Sequence, residues 1–148
     1  MYESRAVFRD LAERYAAAID SADADALAAL FAPGGGLVIR AGERPLYEFR
    51  DERLRRFATL IGETYASTLH HVTTHVVDGD RATTWCLAHH VTPGRELETV
   101  GVRYADSFAR VDGEWRFAQR DVTALWVKVE SLPRVGLTLD RALASAGW

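Results

Sequence analysis

Beyond Tyr65 the chain changes character, and that change limits its architecture more than any other feature. Before it, apolar residues recur at helical spacing. After it, Thr, Val, Tyr, Trp and Phe dominate in long runs broken by the turn signals Asp78-Gly79-Asp80, Pro93-Gly94 and Asp112-Gly113. Such runs read as strands, here near 68–77, 82–92, 97–111 and 114–128. Connections this short demand antiparallel hairpins, because parallel neighbours need a long crossover.

The earlier half supplies what covers that sheet. From Ser4 to Asp20, Phe8, Leu11, Ala12, Tyr15 and Ile19 form one apolar stripe of a helix. The break Asp20-Ser21-Ala22-Asp23 leads into DALAALF, a second helix with acids at its N-terminus, where the dipole favours them. Pro33 and Gly34 to Gly36 end it as a flexible turn, and LVIR follows as a short strand. A third helix runs from Tyr47 or Asp51 to Ile61, with Leu54, Phe57, Leu60 and Ile61 inward. The tail after Pro133 reads as a short helix, LDRALASA, with no assigned place. Helices followed by long strands predict an α+β fold, the helices laid across one face of a curved sheet. With 148 residues and no long linker, residues 1–148 are expected to form one domain.

Composition narrows the function. A net charge of −3 gives no broad electrostatic case for nucleic acid or an acidic membrane. The arginines of RDERLRR alternate with acids, as on a solvated helix face. Cys86 is the single cysteine, which rules out an intrachain disulfide or a cysteine metal cluster and reads as a packing thiol. MYESRAVFRD lacks a signal-peptide layout, and no apolar run approaches the roughly 20 residues of a membrane span, so a cytoplasmic protein is expected. The glycine triplet is neither GxGxxG nor part of a GK[ST] loop, and a phosphate cradle is not expected.

All five histidines fall in TLHHVTTHVV and LAHHV. On a helix His71 and His75 would stand one turn apart, but the β-branched residues around them argue for a strand. A regular strand puts those two on one face about 13 Å apart, too far for a single metal with bonds of about 2.1 Å. His70 falls on the opposite face with Val72, Thr74 and Val76, looking inward. A metal would require His89 or His90 to join it across the hairpin, in a register the sequence leaves open; no metal is expected. A core histidine satisfied by a carbonyl is the alternative for His70. Asp20, at the end of the first helix, and Arg120, in the last long strand, are its candidate partners. Asp20 also suits a cap on the following helix, and Arg120 a surface cross-strand pair.

Three blocks, RYAAAIDSADADALAALFAP, TLHHVTTHVVDGDRA and GVRYADSFARVDGEWRFAQRD, resemble in order and spacing the SnoaL-like branch of the nuclear transport factor 2-like superfamily. That group includes scytalone dehydratase, lindane dehydrochlorinase and polyketide cyclases, and the resemblance covers roughly residues 5–128. It implies a cone-shaped α+β barrel, with three N-terminal helices on a strongly curved, mostly antiparallel sheet enclosing a pocket. It also implies a cofactor-independent site. Dehydratase and dehydrochlorinase members use an aspartate at the end of the first helix, matched by Asp20. Their histidine lies in a T-[IL]-H context on the first long strand, matched by Thr68-Leu69-His70. An arginine after W-[RK]-F is matched by Arg120. Polyketide cyclases sometimes place their acid or base on the last strand, which makes Asp121 a secondary candidate. Gly34 departs from the aspartate many relatives carry after the proline, a loop difference at the pocket mouth.

The expected chemistry is proton abstraction by His70 from a small, mostly apolar, cyclic substrate. Asp20 would hold the ring tautomer, and Arg120 would neutralise Asp20 or bond a developing enolate. Tyr15, Tyr104, Trp126, Asp121 and His89 or His90 are expected to line the pocket. Competing expectations are a polyketide cyclase, a steroid-isomerase-like enzyme with an Asp base, and a non-catalytic binding or assembly subunit. Aromatic and β-branched residues on both strand faces predict a homo-oligomer, dimer or trimer, through the open sheet face.

Overall fold

A computed structural model describes residues 2–148. Helices α1 (Tyr2–Asp20) and α2 (Ala24–Ala29) lead into strands β1 (Phe31–Ala41) and β2 (Arg44–Arg50). Helix α3 (Glu52–Thr64) precedes β3 (Ser67–Asp78), β4 (Arg81–Val91), β5 (Glu96–Val111) and β6 (Glu114–Ser131), and α4 (Thr138–Ser145) ends the chain. The strands form one curved, unclosed sheet in the order β2-β1-β6-β5-β4-β3, antiparallel except where β1 runs beside β6. The fold is the expected α+β cone.

Two expectations in the first half give way. Of the two starts expected for the third helix, Tyr47 gives way, because Arg44–Arg50 is a strand paired with β1, while Asp51 holds as the N-cap of α3. Pro33 and the glycine triplet lie inside β1, not in a turn after a helix. There the β1–β6 register slips between Phe31 and Gly36. A Cβ on Gly35 would stand 2.8 Å from the Ala32 carbonyl oxygen and 2.9 Å from that of Phe117, so only glycine lets the two backbones meet.

The core lies between α1 and the sheet's inner face. Phe8 stacks on Phe108 with centroids 3.8 Å apart, and Leu11, Tyr15, Ile19, Leu27, Leu37 and Phe117 are buried around them. Helix α1 is also tied to the edge strand β3 by polar bonds at two levels. The Arg9 guanidinium donates to the carbonyls of Thr73 (2.7 Å) and Val72 (3.2 Å), and Asp20 holds the strand's beginning. Those two carbonyls mark a bulge between Val72 and His75, where the pairing with β4 slips. The extra residue reverses the alternation, so His75 joins the inner face and is buried, correcting the expectation that it shares the outer face with His71.

Among the described residues no helix is long and apolar enough to cross a membrane. Helix α4 has no buried residue, and Leu137, Leu139 and Leu143 remain exposed.

Candidate active site

Strand alternation turns Thr68 and His70 toward the end of α1, and the last residue of that helix meets both. The His70 ring Nδ1 lies 2.6 Å from Asp20 Oδ1. Asp20 Oδ2 accepts from the His70 backbone N–H at 2.9 Å, and Oδ1 also accepts from the Thr68 hydroxyl at 2.9 Å. Capping of α2 falls to Asp23, whose side chain accepts from Ala26 N–H, and so Asp20 is free for the strand. Burial alone would raise the Asp20 carboxyl, but hydrogen bonds from the His70 ring and backbone and from Thr68 outweigh it and hold it below its ordinary value. An ionised carboxylate only accepts, so Nδ1 carries a proton, and in the neutral ring Nε2 is then the acceptor. Asp20, His70 and Val72 line an open depression of about 290 Å³ between α1 and β3, with Glu13, Ala16 and Ala17.

A second imidazole faces the first. Register places His90 opposite Thr68 on one side and Glu98 on the other, and its ring centroid lies 5.4 Å from that of His70. Ala88, the register partner of His70, is fully buried. Burial, then the neighbouring His70, lowers the His90 pKa, with Glu98 opposing. His89 instead lies on the outer face, edge-on to His71 at 5.2 Å. Of the alternatives His89 and His90, it is His90 that lies on the inner side.

Arg120 is fully buried, as an inward-facing residue of β6, but its partner is Asp106 and not Asp20. Nε and Nη2 donate to the two carboxylate oxygens at 2.9 and 3.2 Å. The guanidinium also lies over the rings of Tyr104 (3.8 Å), Tyr15 (4.3 Å) and Phe117 (4.7 Å). Burial works against its charge, yet Asp106 holds it protonated above its ordinary value. Burial likewise raises the hydroxyls of Tyr15 and Tyr104. These three residues occupy the middle of the interior, away from the Asp20–His70 contact.

Trp126 and Asp121 are on the far side of the sheet. The Trp126 ring packs where a Gly101 side chain would be, at 2.5 Å, and Gly101 alternates with the buried Val100 and Val102. Asp121 pairs with Arg40 at 2.8 Å and accepts from Gln119 at 2.7 Å. The pocket expected to receive both is therefore not where their side chains lie, because the β6 bulges reset the alternation. Cys86 is a buried core thiol, and burial raises its pKa away from thiolate.

Sequence reasoning missed Thr68 as a ligand of Asp20, although its position two residues before His70 marks the same strand face. It also missed Tyr65 and Glu98. The Tyr65 ring lies 4.5 Å from that of His90, and its hydroxyl donates to Glu98 Oε2 at 3.4 Å. Only the β4–β5 register, which sequence leaves open, brings Glu98 to this row.

Solved structures share this fold. A type 2 hexachlorocyclohexane dehydrochlorinase superposes with a TM-score of 0.79 at 15% identity, over 93% of this chain and 95% of that one. A scytalone dehydratase-like protein from Novosphingobium aromaticivorans gives 0.73 at 19%, over 91% and 97%. A protein described as an aromatic ring hydroxylase, from the same organism, gives 0.75 at 21%, over 88% and 95%. At these identities the likeness is one of fold. Among curated protein sequences none matches. The family model described as a SnoaL-like domain matches residues 1–121, a span that holds Asp20, His70, His90 and Arg120, and the chain belongs to the SnoaL-like domain family.

Proposed function

We propose that this protein is a cofactor-independent lyase or isomerase of dehydratase type, in which His70 abstracts a proton from a small, mostly apolar, cyclic substrate. The observation that carries the reading is the 2.6 Å contact between His70 Nδ1 and an Asp20 carboxylate that two further donors hold in place. Asp20 selects the tautomer with Nε2 as acceptor, orients the ring, and stabilises the imidazolium once the proton arrives. His90, whose ring centroid lies 5.4 Å from that of His70, would return a proton to the leaving group or to the shifted carbon. Dehydrochlorinase and scytalone dehydratase-like proteins of this fold support an elimination. The partner is a small organic molecule, with a second copy of the chain on the outer sheet face.

A steroid-isomerase-like Asp base predicts a solvent-facing His70, whereas the His70 side chain is only 9% exposed. A second reading, a non-catalytic binding or assembly subunit, draws on the packed interior around Arg120.

Substrate proton exchange separates the two readings whatever the product. Cyclic ketones bearing a leaving group beta to the carbonyl are incubated with the protein in deuterated buffer, and loss of the α-proton is followed by NMR. Exchange should fall about 10²–10⁴-fold in His70→Ala and in Asp20→Asn. Equal exchange by wild type and both variants would exclude the dyad as the base.

A further inference from the structure

The two histidines are equipped alike. Asp20 meets Nδ1 of His70, and on the facing ring Glu98 Oε2 stands 3.6 Å from Nδ1 of His90. That nitrogen is buried and has no hydrogen-bond partner. A buried imidazole nitrogen does not ordinarily stay unpaired, and closing the remaining gap by about half an ångström makes a charge-assisted bond. The Glu98 carboxylate is itself held. It is the cross-strand neighbour of His90, and the Tyr65 hydroxyl donates to the same Oε2, while the Tyr65 ring lies against the His90 ring.

We propose that Glu98, anchored by Tyr65, is the positioning residue of His90, keeping the proton on Nδ1 and presenting Nε2 to the space shared with His70. The site is then two neighbouring carboxylate–imidazole pairs, with ring centroids 5.4 Å apart and ring planes tilted by 47°. When one ring is neutral and the other protonated, a proton leaves the substrate to the neutral Nε2 and another reaches it from the charged Nε2–H. Nothing is oxidised or reduced, and the two rings exchange protonation states. Glu98, with a partly exposed side chain, joins this interior pair to solvent, which resets the protonation between turnovers. The groups that act on His90 are His70 from β3, Asp20 from α1, Glu98 from β5 and Tyr65 at the head of β3.

This inference deepens the proposed function and rests on it, but its test does not require turnover. Imidazole ¹⁵N–¹H NMR reports the tautomer and the titration midpoint of each ring in the full chain. Wild-type His90 should carry its proton on Nδ1. In Glu98→Gln a negative charge is lost beside the ring, so the His90 midpoint should fall by about one unit and the Nδ1 tautomer should lose its dominance. His70 should keep its Nδ1-protonated form, which also certifies the fold. Glu98→Asp should restore part of the shift, and Tyr65→Phe should leave the tautomers mixed. A His90 midpoint and tautomer unchanged in Glu98→Gln would overturn the proposal, as would a wild-type His90 protonated on Nε2. Loss of substrate exchange in His70→Ala alongside an unmoved His90 would reject this inference and leave the proposed base intact.

Discussion

At the scale of single residues, two charged pairs have opposite roles. Asp20 is bonded by three donors and its pKa is lowered. A carboxyl depressed on folding adds stability that is complete above its unfolded value of about 4 and vanishes as pH falls through the folded value. The stability gap between wild type and Asp20→Asn, measured by urea unfolding, should therefore shrink below about pH 4. A gap that is constant down to acid pH would mean that the carboxylate charge contributes nothing. Arg120 and Asp106, both buried, hold the middle of the interior. Arg120→Met strands the Asp106 charge and should cost about 3–5 kcal/mol, much of it regained when Asp106→Leu is added. Thermal or urea unfolding of the single and double variants measures this. No recovery in the double variant would locate the effect in ring packing over Tyr15 and Tyr104.

At the scale of elements, β3 decides which histidines meet. A regular strand puts His71 and His75 together outside and leaves His70 alone within. The bulge at Val72–His75 overturns that pattern, and His75 turns inward to within 2.8 Å of the Thr84 hydroxyl. Burial, then Arg9 and Arg120, lowers its pKa and keeps it neutral. The bulge carbonyls bond to Arg9 of α1, 63 and 64 positions away in sequence. Arg9→Ala should cost about 1 kcal/mol and speed amide hydrogen exchange around residues 72–75 with little change at β5. Uniform exchange rates across β3 would show that the bulge is held by the strand alone. Periodicity read the four long strands correctly because their hydrophobic pattern is local. It left the start of α3 open between Tyr47 and Asp51, where Pro45 and the charged residues hide the short strand Arg44–Arg50, and it misread the glycine triplet, whose role is a close backbone approach set by β6.

At the scale of the whole molecule, one face of the sheet is covered by helices and the other is not. Leu69, Val76, Leu87 and Trp126 are exposed, with Leu69, Leu87 and Trp126 on the outer face. Such a surface is expected to associate with its own copy. Sedimentation should show a dimer or trimer for the full chain and a monomer for Leu87→Asp, with unchanged circular dichroism. A monomeric wild type would end that expectation. The exposed leucines of α4 are a separate surface, and truncation of the tail together with Leu87→Asp distinguishes the two.

Sequence alone determined the class of the fold, the four long strands, the first helix and the pairing of Asp20 with His70 as candidates. These follow from local periodicity and from a motif resemblance in which helix end and strand start keep their spacing. Tertiary structure alone decided that Arg120 serves Asp106, that His90 and not His89 faces His70, and that Trp126 and Asp121 stand on the outer face. Glu98 and Tyr65 also enter the site only through it. Each depends on strand register and bulges, and one extra residue in a strand moves every later side chain to the other face. No local pattern in the sequence carries that count, because the pairing partner across the sheet sets it.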